Sequence, residues 1–274
     1  MVSSLRMSQE GKQNSMLYLA GLPLWEAILL VVILPTIIAV CGQLLVRKSV
    51  GLERLTTNNE IAGFKFATVG VIFAVIVAFA VIVVWEKFAE AESAVAQEGG
   101  AAATLYRLVA APDPKMKATR EALTNYLKLA IEKEWPSMAA GKASRSVTDA
   151  LSALYDSVTR LAEGDTKQTA LLIEMFKQLD EITHARRTRV HLASGVVPTV
   201  VWIVVFTAAT LTVTFAFFFG AQNLRAQILM TAFLALLTFT AVFAIVEINY
   251  PFTGPSNVGS HPLSVVLEDF SHKE

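Results

Sequence analysis

The chain has 274 residues, 54% of them hydrophobic and only 17% charged, with a positive mean hydropathy and a formal net charge of zero. That composition is too apolar for an ordinary soluble domain, and the balanced charge gives no reason to expect a nucleic-acid partner. A single cysteine, Cys41, excludes an internal disulfide framework.

Four apolar runs reach the length of a bilayer span: roughly Leu22 to Leu45, Phe66 to Trp85, Val196 to Gly220 and Ile228 to Val246. The pattern predicts an all-α, polytopic membrane protein with four transmembrane helices and a helical extramembrane bundle between spans 2 and 3. The expected organisation is a loose arm over 1–20, spans 1 and 2 over 21–85, the bundle over 86–194, spans 3 and 4 over 195–248, and a tail over 249–274. An even number of spans places both termini and the bundle on one side. Trp25, Trp85 and Trp202 all fall near that side, as an interfacial aromatic belt would.

In chain order, Pro35 is expected to bend the first span, because its ring removes one backbone hydrogen bond. A short basic loop follows, with Arg47, Lys48, Arg54 and Lys65. The stretch from Asn58 to Trp85 then organises the chain. Its small residues, Gly63, Ala67, Gly70, Ala74 and Ala78, recur at helical spacing, and so do the bulky Phe66, Val69, Phe73, Ile76 and Val83. A small stripe serves either close helix packing or a pore lining, and both readings stay open. Beyond Trp85 a polar face emerges on what reads as the same helix, with a bend expected at Gly99-Gly100.

Pro112 and Pro114 end that segment, and an amphipathic helix is predicted from about Lys115 to Trp135 with Pro136 as its stop. Another runs from Ser146 to Leu161 with Gly164 beyond it. A fourth begins near Asp165 and passes through Arg186-Arg187-Thr188-Arg189 into the third span. The threonines of that span are expected to bond back to their own helix. The fourth span closes on Glu247, and the tail after Pro251 carries a short apolar run that could dock on the bundle.

There is no glycine-rich nucleotide loop, paired Cys or His metal signature, His-Glu-x-x-His element or nucleophile elbow, so no enzyme activity, cofactor or metal site is expected. His184 and His191 share a helix face but lack ligand-spaced partners. Arg186, Arg187 and Arg189 sit where guanidinium groups hold lipid phosphates or draw anions. The span cores carry almost no ionisable residue, which argues against proton-coupled pumping. One such subunit cannot enclose a polar path, but several copies around a symmetry axis can, with rings of apolar side chains as the constriction. Asn59, Gly63, Phe66, Gly70 and Phe73 are the pore-lining candidates, and Glu60, Glu86 and Glu247 the entrance or gating candidates.

Several local strings add a resemblance. Asn59-Glu60-Ile61-Ala62-Gly63, Val69-Gly70-Val71-Ile72-Phe73-Ala74, Val84-Trp85-Glu86, Leu105-Tyr106-Arg107, Glu134-Trp135-Pro136-Ser137-Met138, Arg186-Arg187-Thr188-Arg189 and Tyr250-Pro251-Phe252-Thr253-Gly254 together resemble the bestrophin-like family of bacterial and plant membrane proteins. The resemblance covers about Trp25 to Phe270. By analogy with bestrophins it implies a homo-oligomeric channel for small inorganic ions, anions favoured, in the bacterial inner membrane, with the second span at the pore and the bundle in the cytoplasm. The chain departs from animal bestrophins in lacking a dense acidic cluster after the fourth span. The competing reading is a non-conducting membrane scaffold or signalling protein whose bundle binds a protein or lipid. Membrane lipids are partners in either case.

Overall fold

The computed structural model describes residues 17–57, 59–110, 113–162, 169–195 and 197–271. The N-terminal arm up to residue 16, Asn58, Pro112, Gly164 and Asp165 therefore lie outside the described residues. Among the described residues the regular elements are helices and no strand occurs: α1 (Leu24–Val50), α2 (Leu52–Thr57), α3 (Asn59–Leu108), α4 (Pro114–Leu129), α5 (Trp135–Ala139), α6 (Arg145–Ala162), α7 (Thr169–Ala193), α8 (Thr199–Ala216), α9 (Leu224–Ile248) and α10 (His261–Ser271). Helices α1, α3, α8 and α9 are each long and apolar enough to cross a membrane. The described residues form two compact units, one drawn from within 1–86 and 196–249, the other from within 87–195 and 250–274.

In the first unit, α1 holds Pro35 without breaking. The turn just before it, Leu29–Ile33, widens to a π-helix, which relieves the clash between the proline ring and the carbonyl one turn back. The Thr36 hydroxyl donates back to the Val32 carbonyl of its own helix at 2.7 Å. Helix α1 ends at Gly51, whose φ of 84° is the left-handed conformation that favours glycine. Helix α9 starts because Asn223 caps it, its side-chain oxygen accepting from the Arg225 and Ala226 amides.

Apolar clusters among the described residues hold this unit together. Ala80 and Val84 of α3 meet Trp202, Val205 and Ala209 of α8 and Val242, Ile245 and Val246 of α9. Ala39, Val213 and Ala235 bring α1, α8 and α9 close through small side chains. Thr210 and Thr212 donate to the Phe206 and Ala208 carbonyls, each at 2.8 Å, so these hydroxyls serve their own helix. Trp202 departs from the expected aromatic belt. It is buried and stacks on Phe206 with ring centroids 5.7 Å apart, while Trp25 and Trp85 are exposed.

The second unit is a helical bundle around Leu105, Leu123, Tyr126, Leu127, Leu154, Met175, Leu179 and Ile182. Helix α10 closes it: Leu263 enters the core, and the Phe270 ring stacks on Tyr106 with centroids 3.6 Å apart. Three expectations are corrected here. Helix α3 runs through Gly99-Gly100 unbroken, and Gly99 is buried so closely that a Cβ there would lie 3.1 Å from the Pro262 carbonyl oxygen. Pro136 does not stop its helix. As at Pro35, a π turn (Ala130–Glu134) precedes it and the helix continues as α5. The arginine-bearing helix α7 does not pass into the third span: it ends at Ala193, followed by Gly195 at φ 84° and then Pro198 before α8.

Candidate functional site

The faces of α3 decide what the second span can offer. Phe66 packs on the subunit's own third span and the loop after it, with ring centroids 5.8 Å from Phe215 and 5.4 Å from Phe219. Phe73 is half-buried against the cluster around Val205 and Val242, on the same side as Ala80 and Val84. The opposite face carries Phe64, Thr68, Val71, Val75, Phe79, Ile82 and Glu86, at spacings of four, three, four, four, three and four, and all are exposed. Between Phe64 and Ile82 this row is apolar except for the Thr68 hydroxyl. Gly63 and Gly70 lie at the border between the faces. A Cβ on Gly70 would meet nothing within 4 Å. Of the four spans, the second has the highest hydropathy and the smallest buried share, 11% against 17, 33 and 28% for the first, third and fourth.

Asn59 sits at the start of α3 and clamps the loop joining the third and fourth spans. Its side-chain amide donates to the Gly220 carbonyl at 2.7 Å, and its oxygen accepts from the Gly220 amide at 3.1 Å. Gly220 has to be glycine for this approach, because a Cβ would stand 2.8 Å from Leu55 Cβ. Arg47 completes the clamp by donating to the Ala221 carbonyl at 2.7 Å and to Gln227 Oε1. Gln227 in turn donates to the Phe219 carbonyl at 2.7 Å. Beside the clamp is a cavity of about 450 Å³, with Gln43, Phe66, Phe219, Met230, Thr231 and Leu234 in its wall. Gln43 is 2% exposed, and its Oε1 has no hydrogen-bond partner.

The arginine cluster lies within the second unit, and two of its members point inward. Arg189 is fully buried, donating to both Glu98 oxygens at 2.8 and 2.9 Å and to Glu134 at 3.0 Å, with its guanidinium 4.6 Å from the Trp135 ring centroid. Arg186 donates to both oxygens of Glu134, at 3.0 and 2.5 Å, and to Thr148 Oγ1 at 3.0 Å. Tyr126 donates to Glu98 at 2.6 Å. Burial raises the Tyr126 hydroxyl well above its ordinary value, and the Glu98 charge adds to this. Burial alone would lower the Arg189 guanidinium, but Glu98 by charge and hydrogen bond, with Tyr126 and Glu134, holds it above its usual range. Arg187, by contrast, is exposed. The carboxylate partners were missed from sequence, although Glu98 lies three and seven residues after Val95 and Ala91, on the apolar face of its helix.

Glu60 and Glu86 are exposed at the two ends of the apolar part of α3. Glu247 is 6% exposed, and neither carboxylate oxygen has a hydrogen-bond partner. Among the described residues no group of three or more His, Cys, Asp or Glu gathers as a metal site.

Four spanning helices, one of them with an open apolar face, and a helical bundle define an all-helical membrane protein. The chain belongs to the Bestrophin-like family: the Bestrophin-like domain profile matches residues 33–263. Similar folds occur in crystal structures of a bacterial bestrophin homologue from Klebsiella pneumoniae. One point variant is 17% identical, with a TM-score of 0.66 over 88% of this chain and 98% of that one. A second point variant is also 17% identical, with a TM-score of 0.66 over 90% and 96%. The structure solved by zinc phasing gives 17% and 0.64 over 88% and 96%. At this identity the likeness is one of fold. No curated protein matches the sequence.

Proposed function

We propose that the protein is a homo-oligomeric channel for small inorganic ions, multi-pass in a bacterial inner membrane, with its pore along the face of α3 that the subunit leaves open. The observation that carries this is the exposure of the longest and most apolar span on the side of Phe64, Val71, Val75 and Phe79. Lipid alone would accept such a face. A ring of copies around an axis would instead turn it into an apolar constriction that gates by dewetting. Of the pore candidates read from sequence, Asn59, Phe66 and Phe73 are engaged within the subunit, whereas Gly63 and Gly70 border the open face, where a neighbouring helix could pack closely. The constriction is therefore assigned to Val71, Val75 and Phe79. Family resemblance favours anions, and the exposed Glu60 and Glu86 favour cations.

The test is ion flux through the purified full chain in liposomes, with opposed chloride and potassium gradients to read selectivity from the reversal potential. Val75→Ser raises conductance several-fold by wetting the constriction, whereas Phe73→Ala changes stability more than conductance. Correctly inserted oligomers without flux across pH, voltage and calcium would sink this reading and favour the scaffold.

A further inference from the structure

The seam between α3 and α8 is open on its outer side. There the first unit has a groove of about 460 Å³, walled by Val69, Ile72 and Ile76 of α3 and by Ile203, Val204 and Leu211 of α8. Ile72, Ile203, Val204 and Leu211 are exposed, so this is a surface groove and not an internal void. Two hydroxyls also line it: Thr212 spends its own on the Ala208 carbonyl at 2.8 Å, and Thr207 is exposed. Lys65 stands directly beyond this wall. It precedes Val69 by four residues, Ile72 by seven and Ile76 by eleven, so all four share one face of α3, and its side chain leans toward the helix start, away from the apolar core. Lys65 is exposed and joins no ion pair among the described residues. Lys48, Arg54 and Arg225, exposed at the same end of the unit, are equally without ion pairs among the described residues, and the exposed carboxylates there are Glu53 and Glu60.

We infer that the groove holds one acyl chain of an anionic phospholipid whose phosphate pairs with Lys65. The lining selects the chain. No ionisable side chain lines the groove, so a charged head inside it would be desolvated without a partner. Water would find too few polar partners there, and an unfilled seam forfeits dispersion contacts. From Lys65 to Ile76 the wall rises about 16 Å, close to half of the ~30 Å hydrocarbon core, which is the depth one leaflet's chain occupies. Charge selects the head. At the mouth stands an ammonium that no carboxylate of the described chain pairs, among further unpaired cations, and a negative headgroup answers it. A zwitterionic head brings its own cation to compete for the phosphate, so lipids of net negative charge are favoured. The groove lies on a flank of α3, and the row through Val71, Val75 and Phe79 does not line it, so occupancy does not depend on whether the protein conducts ions.

The test uses the full chain in nanodiscs, with a phosphatidylglycerol that carries a diazirine in its acyl chain as probe. Saturable adducts are expected in the peptides holding Ile72 and Val204, and unlabelled phosphatidylglycerol should compete about tenfold better than phosphatidylcholine. Lys65→Gln should bring the two competitors to parity. Lys48→Gln removes an equal charge from α1, which does not line the groove, and should leave the tenfold preference in place. Thr207→Trp fills the groove from an exposed position and should abolish the adducts. Equal competition by phosphatidylcholine on the unmodified protein, the same loss of preference in both lysine variants, or adducts no denser in the groove than along the exposed row of Leu30, Ile37 and Leu44 would overturn the site. So would a covalent dimer formed when benzoylphenylalanine replaces Ile203, because a second copy then fills the groove. The competition on the unmodified protein decides the matter even if a variant fails to fold.

Discussion

Single residues set the fate of the second unit through the network of Glu98, Glu134, Arg186 and Arg189. Arg189→Met leaves Glu98 and Glu134 buried and short of a cation, and should destabilise the bundle by about 3–5 kcal/mol, read as a lower denaturation midpoint. Adding Glu98→Gln should recover part of that loss, because the deficit comes from the stranded charge. Tyr126 carries a pH dependence. Its hydroxyl is raised above the ordinary 10.0, so the folded state keeps the proton after the unfolded state has released it. Stability from this group is complete below pH about 10 and falls as pH rises through the raised value. Tyr126→Phe should flatten that alkaline decline, measured by thermal melts from pH 8 upward. At the clamp, Gly220→Ala forces a Cβ to within 2.8 Å of Leu55 Cβ and should cost about 1–3 kcal/mol, seen as a lower melting temperature of the detergent-solubilised protein.

At the scale of elements, the two interior prolines teach one lesson. Pro35 and Pro136 each follow a five-residue π turn, and in neither case does the helix stop. The sequence announces the missing N–H, but whether the chain breaks or widens depends on what holds the two sides of the proline. At Pro136 the neighbours are well tied: Trp135 donates to the Val258 carbonyl at 3.0 Å, and Glu134 is gripped by Arg186 and Arg189. Gly99 makes the same point in reverse. Read alone it is a breaker, but packed it is the notch into which the start of α10 fits. Gly99→Val should loosen α10, and hydrogen exchange over 263–270 should speed up by about tenfold while the spans stay protected.

For the whole molecule, the question is which face of α3 meets what. The exposed row from Phe64 to Ile82 predicts that Phe79→Ala, like Val75→Ser, alters single-channel conductance, and that a tryptophan at Val75 reduces it strongly. Recording both variants beside Phe73→Ala in planar bilayers separates a pore on the open face from one on the face that α8 covers. The oligomer's mass, measured in parallel in detergent, shows whether a variant acts on conduction or on assembly.

The sequence by itself determined the helical class and the four spans, because about twenty uncharged apolar residues in a row allow few structures other than a membrane helix. It also marked Asn59, the arginine cluster and Glu247 as residues out of keeping with their surroundings. It could not say what those residues touch. Asn59 bonds to Gly220, 161 positions away, and Arg189 to Glu98, 91 positions away, and no local periodicity encodes such pairings. The same holds for the faces of α3. Phe66, Phe73, Val75 and Phe79 are all apolar on one long helix that is apolar on nearly every side through the membrane, so hydrophobicity cannot distinguish an inner face from an outer one there. Only the packing of α8 and α9 against one side of α3 decided that Phe66 and Phe73 are spent within the subunit and that Val75 and Phe79 are left open.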